Sequence, residues 1–130
     1  MTAATPCSEP LPPAARDAIR LFNAGEYYEQ HDALEALWRA EVRPVRRLYQ
    51  GILQIGVAYY QITRGNRRGA LKMLARGLRW LDQLPETCQG VDVARLRADA
   101  RAVQSALTSA PDLAGFDYVL LKPVHLLDAP

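Results

Sequence analysis

Four helix breakers set out the middle of this chain: Gly25, Pro44, Gly65 and Pro85. Glycine supplies the left-handed backbone that ends a helix, and proline removes an N–H and collides with the preceding turn. Between these breakers the apolar residues recur at three- and four-residue steps, the spacing of one helix face rather than the alternation of a strand. Gly25 and Gly65 lie 40 positions apart, each ending one helix and opening another. The pattern predicts an all-α fold. It has about five helices, four of them in two antiparallel hairpins, followed by a C-terminal helix and an extended apolar tail.

The segments read individually. Pro12 and Pro13 suit the first turn of a helix anchored by Ile19, Leu21 and Phe22. A second helix is expected from about Glu26 to Arg43, and a third from about Val45 to Arg64. The third is apolar over more than half its circumference, as a central helix should be. Gly51 and Gly56 inside it cost helix propensity, so they are expected to permit close helix approach. Its polar stripe is Arg46, Arg47, Gln50, Gln54, Gln61 and Arg64. Asn66 is placed to cap a fourth helix, Arg67 to Leu84, whose outer face carries Arg68, Lys72, Arg76 and Arg79. Asp92 is placed to cap a fifth, Val93 to about Thr108, with a narrow seam of Val93, Leu96, Ala100, Val103 and Leu107. The tail from Phe116 is apolar without helical spacing.

Composition bounds the classes. At 130 residues the chain is one domain's worth, and its 49% hydrophobic and 23% charged residues are ordinary for a globular protein. Residues 1–11 read as a disordered lead-in and 12–130 as a single helical domain. The start has no basic stretch followed by an apolar core, and no run of about 18 apolar residues occurs, so neither a secretory signal nor a membrane span is expected. Cys7 and Cys88 form neither a CxxC metal clip nor a disulfide framework, which makes the cytoplasm the default compartment. A net charge of +2 does not argue for nucleic acid, and no aromatic interleaves the arginines of the fourth helix.

The chemistry concentrates in the second helix. On a wheel at about 100° per residue, Tyr27, Tyr28, His31, Leu34, Glu35, Trp38 and Val42 share one arc of roughly 100–110°. His31 and Glu35 therefore stand one turn apart on an apparently core-facing side, where Leu or Ile would be usual. With Gln50 and Gln54 of the third helix they make a candidate polar cluster. As structure, it is a satisfied buried network that fixes helix register. As function, it is a pocket in which His31 serves as ligand or general base and Glu35 orients it, with Tyr28, Glu29 and Trp38 nearby. Tyr27, Tyr28, Trp38, Tyr49, Tyr59 and Tyr60 make the neighbourhood aromatic, which serves core packing or a flat ligand equally. No serine sits in a nucleophile elbow, and Gly65-Asn-Arg-Arg-Gly69 lacks the ending of a phosphate loop.

Three motifs occur in order: Phe22-Asn23-x-Gly25-x-Tyr27-x-Glu29-x-His31-x-x-Leu34-Glu35-x-x-Trp38, then Tyr49-Gln50-Gly51-x-x-Gln54, then Gly65-Asn66-x-x-Gly69-Ala70. Over about Arg16 to Pro85 the chain resembles the domain-of-unknown-function 309 family. The resemblance implies a small all-α prokaryotic protein, and some relatives carry the label of predicted metal-dependent hydrolase. Where relatives have a further histidine late in the third helix, this chain has Tyr59-Tyr60-Gln61.

Catalytic zinc takes three protein ligands, and His31 with Glu35 supplies two. A third would come from Glu29, Asp32, Glu41 or His125, of which the wheel points the first two away. No firm catalytic or metal residue follows, and no cofactor is expected beyond an alternative divalent metal on His31 and Glu35. The favoured reading is a non-enzymatic binding module, associating with a partner or a second copy through the tail and the fifth-helix seam. The alternative is a metal-dependent hydrolase or small-molecule site on the same cluster.

Overall fold

A computed structural model describes residues 6–127. Five helices form, α1 (Pro13–Asn23), α2 (Gln30–Ala40), α3 (Arg46–Thr63), α4 (Arg67–Leu81) and α5 (Val93–Ser109), with a two-residue strand pair, β1 (Thr87–Cys88) and β2 (Val91–Asp92), before α5. The all-α expectation holds. Consecutive helices pack on one another, and α3 lies between α2 and α4. Both expected caps are present: Asn66 Oδ1 accepts the Gly69 N–H at 2.9 Å, and Asp92 Oδ1 accepts the Arg95 N–H at 3.0 Å. Gly25 and Gly65 take φ of +82° and +76°, the left-handed stops their type allows.

The second helix is shorter than the sequence suggests. Residues 27–29 are turn, and beyond Ala40 the backbone of Glu41 is extended (φ −94°, ψ 120°). Pro44 disfavours helix at Arg43, and the Arg43 guanidinium closes on Glu41 at 2.7 and 2.9 Å, fixing a tight exit. The fourth helix likewise ends at Leu81, three residues before the expected limit.

The core runs along α3. Leu48, Tyr49, Ile52, Ile55, Ala58, Tyr59 and Ile62 are buried, and they meet Phe22 and Ile19 of α1, Leu74 and Leu81 of α4, and Leu96 and Val103 of α5. Gly51 and Gly77 set the α3–α4 distance: a Cβ on Gly51 would fall 2.5 Å from Leu81 Cδ2, and one on Gly77 would fall 2.8 Å from Ile55 Cδ1. The whole seam of α5, Val93, Leu96, Ala100, Val103 and Leu107, is buried inside the chain. The basic face of α4, Arg68, Lys72, Arg76 and Arg79, is exposed.

Two connections depart from expectation. The segment between α4 and α5 is a tight hairpin, with Thr87 opposite Asp92 and Cys88 opposite Val91. Its two central residues, Gln89 and Gly90, both have positive φ (49° and 78°), the geometry that matches hairpin twist. The cysteines also differ from the sequence reading, which provides no disulfide: Cys7 and Cys88 are bonded. Residues 6–11, assigned to the lead-in, are seated on the fold, with a 3-10 turn at Pro6–Ser8 and Leu11 in the core. Residues 1–5 of that lead-in lie outside the described residues. The tail returns along the hairpin. Asn23 exchanges two hydrogen bonds with the backbone of Val124, and Leu126 bridges to Val91. Among the described residues no helix is long and apolar enough to cross a membrane.

Candidate functional site on the α2–α3 face

The apolar face of α2 is centred on Gln30 and Leu34, both fully buried, with Ala33, Leu37 and Trp38 packed beside them. His31 and Glu35 stand on its flank, with 21% and 34% of their side chains exposed. The core-facing placement expected for that pair therefore belongs to Gln30 and Leu34. Two residues displaced the wheel: Tyr28 precedes the helix and is 49% exposed, and Val42 follows it and is 88% exposed. Without them the remaining apolar positions centre one residue earlier.

Gln30 is the buried polar residue of this interface. Its Nε2–H donates to the Leu53 carbonyl of α3 at 3.1 Å, while its Oε1 has no partner among the described residues. Gly56 makes the room, since a Cβ there would lie 2.4 Å from Gln30 Nε2. The signal was a glycine in α3 facing a long amide in α2, and it is legible only once the helix register is known. Nearby, Tyr27 packs edge-on against Phe22 and Tyr59, with ring centroids 5.4 and 5.6 Å away. Burial pushes up the pKa of both tyrosine hydroxyls, and that of Tyr59, without a hydrogen-bond partner among the described residues, rises well beyond the ordinary phenol range.

Outside this layer runs a ladder of rings. Tyr28 contacts the His31 ring at 4.8 Å and the Tyr60 ring at 5.0 Å. Arg64 lies over the Tyr60 ring at 5.6 Å and donates to its hydroxyl at 3.0 Å. His31 Nδ1 lies 2.8 Å from the Tyr28 carbonyl. A carbonyl only accepts, so Nδ1 carries the proton and Nε2 is the nitrogen left for other contacts. Asp32 Oδ1 and Glu35 Oε2 approach that Nε2 at 3.5 and 3.8 Å, and Glu35 is held in turn by Arg39 at 2.9 Å. Asp32, which the wheel turned away, is thus the nearer carboxylate, because an adjacent short side chain can fold back over the ring.

Further along α2, Arg46 of α3 lies over the Trp38 ring at 5.8 Å. Trp38 Nε1, Arg46 Nε and Gln54 Oε1 are buried there without partners among the described residues. Gln50 and Gln54 are half-buried, and no hydrogen bond joins either to His31 or Glu35. Glu29 is exposed at the start of α2. The structure thus gathers Tyr28, His31 and Glu35 on one face, with Trp38 and Gln54 further along it, and replaces the expected four-residue network with two separate sets of contacts.

A catalytic metal does not fit this donor set. Among the described residues no three His, Cys, Asp or Glu side chains converge as ligands. Glu41 is committed to Arg43, and His125 lies in the tail, its backbone carbonyl bonded to the Asp92 N–H at 2.9 Å. A separate cavity of about 190 Å³ lies between the end of α5 and the tail, lined chiefly by Ala106, Leu107, Phe116 and Leu120. Its two carboxylates, Asp112 and Asp117, are spent on the backbone N–H groups of Ala114 and Val119.

Comparison with known proteins places the site in context. Residues 15–73 match the family model described as "Domain of unknown function (DUF309)", so the resemblance read from the motifs holds over α1, α2, α3 and the start of α4. An uncharacterised protein of Aquifex aeolicus is 21% identical over 84 residues, covering 64% of this chain and 25% of its own. The uncharacterised protein YpuF of Bacillus subtilis is 35% identical over 72 residues, covering 54% of this chain and 41% of its own. The chain thus spans between a quarter and about two-fifths of the length of these relatives. All the site residues from Tyr28 to Arg64 fall inside the family match.

Proposed function

We propose that the chain is a non-enzymatic helical interaction module whose contact face is the α2–α3 surface around Tyr28. The observation that carries this reading is the ring ladder: Tyr28 is half exposed, yet held between His31 and Tyr60. A rigid, amphipathic aromatic that loses little side-chain entropy on contact is the usual anchor of a binding surface. Two relatives that hold the matched stretch within much longer chains also suit a module. The fifth-helix seam, first expected to serve association, is spent on the chain's own core, which moves the proposed surface to α2 and α3.

The hydrolase alternative has one observation in its favour. His31 Nδ1 is anchored on a carbonyl, which leaves Nε2 without the proton, the tautomer a general base needs. Against it, no three metal-ligating side chains converge among the described residues. The two readings separate with purified protein. Wild type and the Tyr28→Ala/Tyr60→Ala double variant serve as bait, and any protein held only by wild type is then purified and titrated calorimetrically. Binding that the double variant weakens tenfold or more is expected. Ester or phosphoester turnover with added zinc or manganese, abolished in His31→Ala, would replace the module reading with the hydrolase.

A further inference from the structure

The first described residues are held to the hairpin by more than their covalent bond. Beside the Cys7–Cys88 disulfide, the Cys7 carbonyl accepts the Gln89 N–H at 2.7 Å and the Pro6 carbonyl accepts Gln89 Nε2–H at 3.1 Å. Gln89 Oε1 then accepts from the Tyr49 hydroxyl of α3 at 2.7 Å. Gln89 is 2% exposed and sits in the left-handed region, so a buried residue on the hairpin tip depends on this segment for the acceptors of two of its N–H donors. On the other side Glu9 meets Arg43 at 2.9 Å, at the exit of α2. Leu11, in the core, is the point from which the strap is anchored.

The strap is anchored at Leu11, but most of it lies at the surface, with Ser8, Glu9 and Pro10 exposed. Its 3-10 turn is three residues long and buries none of them. Each of its hydrogen bonds to Gln89 contributes no more than the backbone entropy lost by ordering one residue. The bond to Cys88 makes docking intramolecular and so tips that balance.

We propose that Cys7–Cys88 is a redox latch: the oxidised form holds residues 6–10 against the hairpin, and reduction by a dithiol releases them and uncovers Gln89 and Tyr49. Cys88 is fully buried and Cys7 half-buried, so the incoming thiolate attacks the Cys7 sulfur. A bond forms between the reductant and Cys7, and Cys88 leaves as a thiolate. The second thiol of the reductant then displaces Cys7, leaving the reductant as its disulfide and its two protons on Cys7 and Cys88. Exchange with a disulfide oxidant runs the same steps backward. With the strap gone, the Gln89 N–H and amide lose their acceptors and the hairpin tip loosens, while α3 and α4, which pack through Gly51 and Gly77, are untouched.

Hydrogen exchange on the full chain, purified without reductant, tests the latch. Denaturing alkylation is expected to add nothing before reduction and two adducts after it. On adding a dithiol, peptides covering 6–10 and 86–92 are expected to exchange at least tenfold faster, with α3 and α4 unchanged. Cys7→Ser is expected to show the released pattern without reductant and no response to it. Two adducts on protein already treated with oxidised glutathione would overturn the proposal. So would hairpin exchange that changes less than twofold on reduction, or a Cys7→Ser protein whose hairpin still responds to the dithiol. Loss of protection in α3 and α4 together with the strap would overturn it too, since the bond would then be a staple of the whole fold.

Discussion

The two sides of α3 are built to different rules. Toward α4 the contact is dry and close: Gly51 and Gly77 remove the side chains that would keep the helices apart, and Leu81 and Ile55 fill the space they leave. Toward α2 the contact is made through an amide, a ladder of rings and several polar atoms without partners. On α3 itself, one glycine serves each side. Gly51 admits an aliphatic side chain, whereas Gly56 admits Gln30. A helix packed by shape on one side can carry polar and exposed groups on the other, because its position does not depend on them. That is why the candidate contact face lies on α2 and α3 rather than on α4.

The comparison can be broken most severely on the dry side. Gly77→Val is expected to cost about 3 kcal/mol, since its side chain meets both Ile55 and the Gly51 carbonyl, and urea unfolding would read this as a lower midpoint with unchanged slope. Next comes Gln30→Ala, expected to cost about 2 kcal/mol through the cavity it leaves and the hydrogen bond it removes. A loss below about 0.5 kcal/mol there would show that the polar side contributes nothing to holding α2, as surface changes do not. His31→Ala should cost less than about 1 kcal/mol in the same measurement, because its ring is on the flank and its partner is a carbonyl of its own preceding turn.

The smallest effect is at the exit of α2. Hydrogen bonds from Arg43, chiefly from its side chain, lower the Glu41 carboxyl from 4.5 to about 2. A depressed carboxyl contributes stability that is present above its unfolded value and is lost as pH falls through the folded one. Wild type is therefore expected to exceed Glu41→Gln by about 0.5 kcal/mol at neutral pH, the screened value of a surface pair, with the difference fading between about pH 5 and 2. A difference that persisted at pH 2 would assign it to packing rather than charge.

What was legible in the sequence follows from range. Breakers, caps and periodicity act over a few residues, so the helices, the Asn66 and Asp92 caps and the close approach at Gly51 could be read directly. The face of α2 was read one position late because the turn at residues 27–29 looks helical in composition. Tyr28 and Val42, apolar but outside the helix, then drew the wheel toward His31. Gln30 went unnoticed because a glutamine beside acidic neighbours carries no mark of burial until α3 and its Gly56 are set against it. The disulfide was beyond reach for a plainer reason: its two cysteines are 81 positions apart, and only the folded path of α1 through α4 brings them together.

That same bond alters how the chain would bear load. With it closed, the residues from Cys7 to Cys88 form a covalent ring that encloses α1, α2, α3 and α4. A pull on the two ends of the polypeptide then passes through the sulfurs into the hairpin and α5, and the ring carries none of it. The 80 residues between the cysteines (a separation of 81, less one) would stay hidden from extension. At about 3.5 Å per residue that withholds roughly 280 Å of contour length. Opening one bond would return all of it at once, so the oxidised chain is mechanically a much shorter molecule than its sequence.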